Sequence, residues 1–174
     1  EDLIVARNII LSRYSGAHIH LQHISSAMSV ELVRRSKRDG VRVTAEATPH
    51  HFTLTDELLR GFDALYKVNP PLRRAEDVGA VRAGLADGTI DVVATDHAPH
   101  AREDKDCEWA AGAFGMLGLE TALSVVIETM VLTGALDWRG VADRMSVRPA
   151  HIARLADQGR PLAVGEPATL VVVD

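Results

Sequence analysis

One cysteine, Cys107, stands in 174 residues, so no internal disulfide can form. A single thiol fits a reducing, cytoplasmic setting. Long apolar runs are lacking too: none approaches the roughly 18–20 residues that span a membrane. No signal-peptide pattern is visible. Basic charge is in deficit, with 19 Lys and Arg against 24 Asp and Glu, a net charge of -5. That leaves no electrostatic footprint for nucleic acid. There are no internal repeats and no low-complexity tracts. An initiator Met is also missing. Glu1-Asp2-Leu3 opens directly into a helical pattern, and the expectation is a piece of a longer protein.

What remains is an ordinary globular composition, long enough for one domain with a real core. The chain is organised around residues 89–100, Thr-Ile-Asp-Val-Val-Ala-Thr-Asp-His-Ala-Pro-His. Ile90 to Ala94 has the length and β-branched content of a buried strand. It ends abruptly in Thr95, Asp96 and His97. In α/β sheets and barrels, ligands and catalytic groups gather at the C-terminal ends of strands. A carboxylate followed by imidazoles could bind a metal, carry protons or hold an anion.

Upstream, residues 2–14 read as a helix closed by Gly16, and 17–22 as a strand. Ser25 or Ser26 caps the next helix, which runs to about Arg38 with Val30, Leu32 and Val33 inward. Its Arg34, Arg35, Lys37 and Arg38 read as a wet outer face. Residues 41–45 form a second strand. A short capped helix at 55–59, an extended piece at 64–68 and a two-proline loop at 69–73 follow. Residues 75–86 are helical, then comes the organising strand. Residues 101–109 read as a charged loop whose polarity suggests mobility. Three helical segments (119–132, 138–145 and 149–156) and a final strand over 168–173 close the chain. Strand-then-helix units of this length imply β-α-β crossovers and a parallel sheet. About three units fit half of a (β/α)8 barrel, with a small doubly wound sheet as the alternative.

Three strand ends bear polar clusters: His23 with Ser25, His50 with His51, and Asp96 with His97 and His100. Alternation places Ile19, Leu21 and His23 on one face, and Val92, Ala94 and Asp96 on one face of their strand. His and Asp together suit a zinc-like divalent metal with an open position. Such a metal acidifies bound water to a pKa of about 7, and an Asp beside it can shuttle the proton. Two ligands are too few for a tight site. His18 and His20 read as packing or hydrogen-bonding residues, and His50 and His51 as loop-shaping ones, with an approach of one of them to the site as the alternative. His97 reads as a partner orienting Asp96, His151 as a surface residue, and Cys107 as no nucleophile.

The motifs together resemble the C-terminal part of the dihydroorotase family, of the bacterial shorter-chain type in the amidohydrolase superfamily. The matching pieces are His-Ile-Ser-Ser (23–26), Val-Thr-Ala-Glu-Ala-Thr-Pro-His-His (43–51), Lys-Val-Asn-Pro-Pro-Leu-Arg (67–73), Asp-Gly-Thr-Ile-Asp (87–91), Ala-Thr-Asp-His-Ala-Pro-His (94–100), Phe-Gly-Met-Leu-Gly-Leu-Glu-Thr (114–121) and Val-Gly-Glu-Pro-Ala-Thr-Leu-Val-Val-Val-Asp (164–174). The resemblance implies an α/β fold. Residues 1–160 would be the C-terminal part of a TIM-like metal-dependent hydrolase barrel, about strands 6–8. Residues 161–174 would be the return into a small β-domain.

It implies two Zn2+ ions per active site, with His23 a ligand of one and Asp96 a ligand of the other and the general acid/base. Asn69, His100, Phe114 and Gly115 would bind substrate, His100 holding its carboxylate. The implied reaction is the reversible hydrolysis of (S)-dihydroorotate to N-carbamoyl-L-aspartate in pyrimidine synthesis. Partner expectations are the small-molecule substrate, a homodimer and association with aspartate carbamoyltransferase, with no nucleic acid and no membrane. The His-x-His pair of the first barrel strand, the bridging carboxylate or carbamylated Lys, the fifth-strand His, and the substrate-binding Arg and Asn that follow the first His pair have no counterpart here. These 174 residues alone are therefore expected to be inactive. Allantoinase and dihydropyrimidinase share the pattern; Lys67, Arg73 and His100 favour an anionic substrate. An inactive scaffold subunit is the reading from another class, against which the retained His23 and Asp96 argue.

Overall fold

A computed structural model of the chain describes residues 1–173. It holds an α/β arrangement. Helix α1 (Asp2–Ser15) ends where Gly16 adopts the left-handed conformation, φ 71°, that a side chain resists. Strand β1 (Ile19–Leu21) follows, then α2 (Ala27–Arg38) and β2 (Val43–Ala47). After two 3-10 turns come α3 (Ala75–Asp87) and β3 (Val92–Val93). The three strands are parallel in the order β1-β2-β3, pairing Ile19 with Val43, Leu21 with Ala45, and Glu46 with Val92.

One face of this sheet is apolar and covered. Leu21, Val43, Ala45, Ala47 and Val93 pack with Val5 and Ile9 of α1, Val30 and Val33 of α2, and Val81 and Leu85 of α3. Fully burying one such side chain contributes about 1.5–3 kcal/mol. Gly84 lets α3 approach closely: a Cβ there would meet Ile90 and Val30 side-chain atoms at 3.1 Å. The other face carries His18, His20, Thr44 and Glu46.

Helix starts are set by polar groups. Ser26 caps α2 by accepting from Ser29 N at 3.1 Å. Glu1 sits at the same helix end and accepts from Ser25 N and Ser26 N at 3.0 and 3.1 Å, where the helix dipole favours an anion. Arg73 joins this cluster through Ser25 Oγ and Glu1.

Several expectations change. Residues 64–66 form a 3-10 turn rather than an extended piece, because Asp63 accepts from Leu65 N and starts a turn. Residues 102–105 form a single helical turn, α4. The helical tail comprises α5 (Ala122–Val126), α6 (Trp138–Ala142) and α7 (Arg148–Ala153), the first two continuing into wider turns. The strand expected over 168–173 is absent, and these residues are exposed, with no neighbouring strand among the described residues to pair with. Asp174, the last residue of the expected β-domain return, lies outside the described residues. No helix among the described residues is long and apolar enough to cross a membrane.

The face of α2 that reads as wet is partly engaged. Lys37 Nζ reaches Asp91 Oδ2 at 2.6 Å, and Asp91 is 2% exposed. Asp91 also accepts from Ala45 N at 2.9 Å and lies 3.3 Å from Arg148. One carboxylate thus ties α2, β2 and α7 to the start of β3. Asp91→Ala removes the acceptor and strands its partners, so it should cost about 3 kcal/mol. A denaturant titration should show the lower midpoint at unchanged slope.

Candidate functional site

The strand ends supply the site. His23 and Asp96 each follow a parallel strand by two or three residues, and each adopts positive φ, 55° and 46°. Only four non-glycine residues in the described chain do so. Such a conformation costs a side-chain-bearing residue free energy and concentrates at functional positions. Its effect here is to turn both side chains toward each other: His23 Nε2 lies 3.8 Å from Asp96 Oδ1. Both remain about one-third open to solvent.

The positive φ at His23 corrects the alternation expected from sequence. Ile19 and Leu21 face the helices, and His23 is turned onto the opposite face. The residues on that face are His18, His20, Thr44 and Glu46, linked in a row. His18 Nε2 and His20 Nδ1 meet Thr44 Oγ1 at 3.0 and 2.8 Å. His20 Nε2 meets Glu46 Oε2 at 2.9 Å. Glu46 Oε1 lies 3.2 Å from His23 Nδ1, within ion-pair reach though off the line of a good hydrogen bond. His20 has the hydrogen-bonding role expected of it, and its partner Glu46 is the candidate site residue that the sequence reading missed. Its signal was present as polar residues at every second position, 18 and 20 on one strand and 44 and 46 on the next.

Electrostatics follow from this row. Burial would raise the Glu46 carboxyl, but its contacts with His20 and His23 prevail and hold it at about 2. The Glu46 carboxylate raises the His23 imidazole above its ordinary value against the opposing effect of burial, with Asp96 helping.

His50 and His51 behave differently. His51 Nδ1 meets Thr48 Oγ1 at 2.7 Å and its Nε2 donates to the Pro70 carbonyl at 2.8 Å. It shapes the 69–71 loop, as expected. His50 packs on it at 4.4 Å between ring centroids, and its Nε2 is buried with no partner among the described residues. Burial, then the charges of His51 and His23, push the His50 imidazole down to about 3.

The expected substrate residues fall into two groups. Asn69 lines a cleft with Glu1, His20, Pro70 and Arg73. His100 lines another with Asp63, Leu65, Arg102 and Lys105. His100 Nε2 donates to Phe114 O at 2.7 Å, so His100, Phe114 and Gly115 do come together. Gly115 has φ 134°, and a Cβ there would sit 2.6 Å from the Ala98 Cβ. Only glycine fits that turn.

His97 does not orient Asp96. Its Nδ1 accepts from Gly118 N and Leu119 N at 3.2 and 3.1 Å and so anchors the turn after residue 116. Lys67 and Arg73, expected to suit an anionic substrate, are engaged inside the chain: Arg73 with Ser25 and Glu1, Lys67 with the carbonyls of Trp109 and Ala110. Cys107 is exposed and free.

A divalent metal fits the His23–Asp96 pair in part. Imidazole nitrogen and carboxylate oxygen are zinc-type donors, and the two converge. The carboxylate behind His23 is the partner that metal-binding imidazoles ordinarily have. Yet no group of three His, Cys, Asp or Glu able to hold a metal exists among the described residues. The pair furnishes two donors, and a closed site needs more.

No protein-family model matches the chain. It is 62% identical over all 174 residues to a dihydroorotase of Streptomyces coelicolor, covering 41% of that protein. It is 57% identical over the same 174 residues to a dihydroorotase of Mycobacterium tuberculosis, covering 40% of it. Among solved structures it is similar to the L-hydantoinase (dihydropyrimidinase) of Arthrobacter aurescens, with a TM-score of 0.87 and 29% identity over 96% of this chain and 38% of that one. The chain thus spans about two fifths of the length of the curated relatives it matches.

One consequence concerns pH. With its imidazole held neutral at about 3 in the fold against about 6.5 when unfolded, His50 makes the unfolded state bind more protons between those values. Its contribution is therefore present above about pH 6.5 and lost as pH falls toward 3. His50→Gln removes this titration, and the stability of the variant, followed by denaturant titration across that window, should fall less steeply than that of the parent.

Proposed function

We propose that this chain, related along all of its 174 residues to the dihydroorotases, is the C-terminal part of a metal-dependent cyclic amidohydrolase of that kind. The reaction is the reversible hydrolysis of (S)-dihydroorotate to N-carbamoyl-L-aspartate, a step of pyrimidine synthesis, in the cytoplasm. The carrying observation is the convergence of His23 and Asp96, both in left-handed backbone at parallel strand ends, with Glu46 behind the histidine.

The sequential order β1-β2-β3 supports a barrel over a doubly wound sheet, which reverses direction at a switch point. On this reading residues 1–160 are barrel and 161–174 lead into a second, β domain. His23 and Asp96 contribute donors to a pair of zinc ions, the remaining donors coming from beyond these residues. When bound, such metals supply Lewis acidity and acidify water to a pKa of about 7.

The chain's own groups do the rest. Glu46 holds His23 by its Nδ1 side, leaving Nε2 turned toward Asp96. The Asp96 carboxylate accepts the proton of the attacking water and delivers it to the ring nitrogen as the amide C–N bond breaks. His100, Asn69 and the Phe114–Gly115 backbone hold the ring, with His100 on the substrate carboxylate. A homodimer and association with aspartate carbamoyltransferase belong to the same proposal.

A second reading is supported by the likeness to L-hydantoinase: a ring-opening enzyme for neutral cyclic amides. Comparing turnover of dihydroorotate, dihydrouracil and allantoin by the full-length protein separates the two. Preference for dihydroorotate is expected, and no turnover of any would favour a scaffold. Asp96→Asn should lower kcat about a thousandfold, read as loss of dihydroorotate consumption. The 174 residues alone, supplied with zinc, should show no turnover, because two donors do not hold a metal tightly.

A further inference from the structure

Two lysines cross-link the segments that carry the candidate substrate contacts. Lys67, 7% exposed, precedes Asn69 by two residues. Its Nζ donates to Trp109 O at 2.8 Å and Ala110 O at 3.1 Å, and lies 4.6 Å from the Phe114 ring centroid. Lys105, on α4, reaches back the other way. Its Nζ donates to Ala113 O at 2.9 Å, Gly115 O at 2.8 Å and Lys67 O at 3.3 Å. The Lys67 carbonyl also accepts from Gly115 N at 3.0 Å. All five ammonium hydrogen bonds end on main-chain carbonyls.

The chemistry suits the place. Residues 106–118 contain no helix or strand, so their carbonyls lack regular partners. An ammonium offers three donors on a flexible stem and makes charge-assisted bonds stronger than neutral ones. Lys67 is satisfied wholly by the other segment, at residues 109 and 110. Lys105 closes its own segment on Ala113 and Gly115 and crosses to the Lys67 carbonyl, the same oxygen that Gly115 N meets. Three further contacts transmit the constraint to the site. His100 Nε2 donates to Phe114 O, Gly115 has no room for a Cβ beside Ala98, and Ala98 N donates to Met116 O at 3.1 Å.

We propose that Lys67 and Lys105 are positioning residues, fastening segment 105–115 to the 67–69 loop so that Asn69 in its cleft is held in fixed relation to His100 and the Phe114–Gly115 backbone at the other. This rests on the assignment of those four residues to the substrate made above. The charged loop expected to be mobile is, on this account, a clamped one. The lysines touch no substrate and act through the main chain they hold.

The test uses the full-length protein as wild type, Lys67→Met, Lys105→Met and Lys105→Arg. Chymotrypsin cleavage at Trp109 and Phe114, without substrate, should be about tenfold faster in the two Met variants, the size expected for losing charge-assisted bonds. KM for dihydroorotate should rise about tenfold, with kcat falling less, because His23 and Asp96 are untouched. Lys105→Arg, which keeps the charge and several donors, should recover part of both. A folded Lys105→Met protein with wild-type cleavage and wild-type KM overturns the proposal. If the Met variants do not fold, amide exchange of the wild type decides: slow exchange at Gly115 is expected, and exchange at the rate of an open loop overturns the clamp. A wild type that leaves dihydroorotate unchanged sinks the functional reading, while cleavage and exchange still judge the clamp.

Discussion

The Glu46 carboxylate is the contact on which the rest of the site depends. It stands on the central strand of three, opposite Val92 on one side and beside His20 and His23 on the other. A carboxylate in that position is 7% exposed and is tolerated only because cationic or donating groups meet both of its oxygens. His20 Nε2 meets Oε2 at 2.9 Å, and His23 Nδ1 lies within ion-pair reach of Oε1 at 3.2 Å. His20 is held at both nitrogens, by Thr44 and Glu46. His23 is held at one, which leaves the other for Asp96. The polar row and the apolar core are two faces of the same strands. The pleat that buries Leu21, Ala45 and Ala47 against the helices necessarily delivers His20, Thr44 and Glu46 to the opposite side.

This division explains which features were legible in the sequence. Helices α1, α2 and α3 and the glycines that end α1 and α3 follow from local chemistry: apolar period, serine cap, left-handed glycine. The parallel order follows from strand–helix alternation. The face of His23 does not, because alternation counts residues and takes the backbone as extended. A single φ of 55° reverses the count. The reversal is driven by contacts with Glu46 and Asp96, which lie 23 and 73 residues further along the chain, beyond any local rule. His97 was misread for a similar reason: its partners, Gly118 and Leu119, lie more than 20 residues away. The β-branched stretch at 168–173 shows the limit of propensity. A strand needs a neighbour, and none is present among the described residues.

The motif at 67–73 shows how charge in a sequence differs from charge at a site. Lys67, Arg73 and His100 together looked like a cationic lining for an anionic ring. Arg73 is consumed by Glu1 and Ser25 at the start of α2, and Lys67 by the carbonyls of residues 109 and 110. Neither ammonium nor guanidinium is free to meet a carboxylate without giving up bonds it already makes. On the proposed function, discrimination between a carboxylated ring and a neutral one would therefore fall to His100 and to the main chain of residues 113–115. Their placement depends on how tightly the two lysines hold that main chain. On that proposal the cations of this chain would serve specificity through geometry, by holding the main chain of residues 109–115 in place.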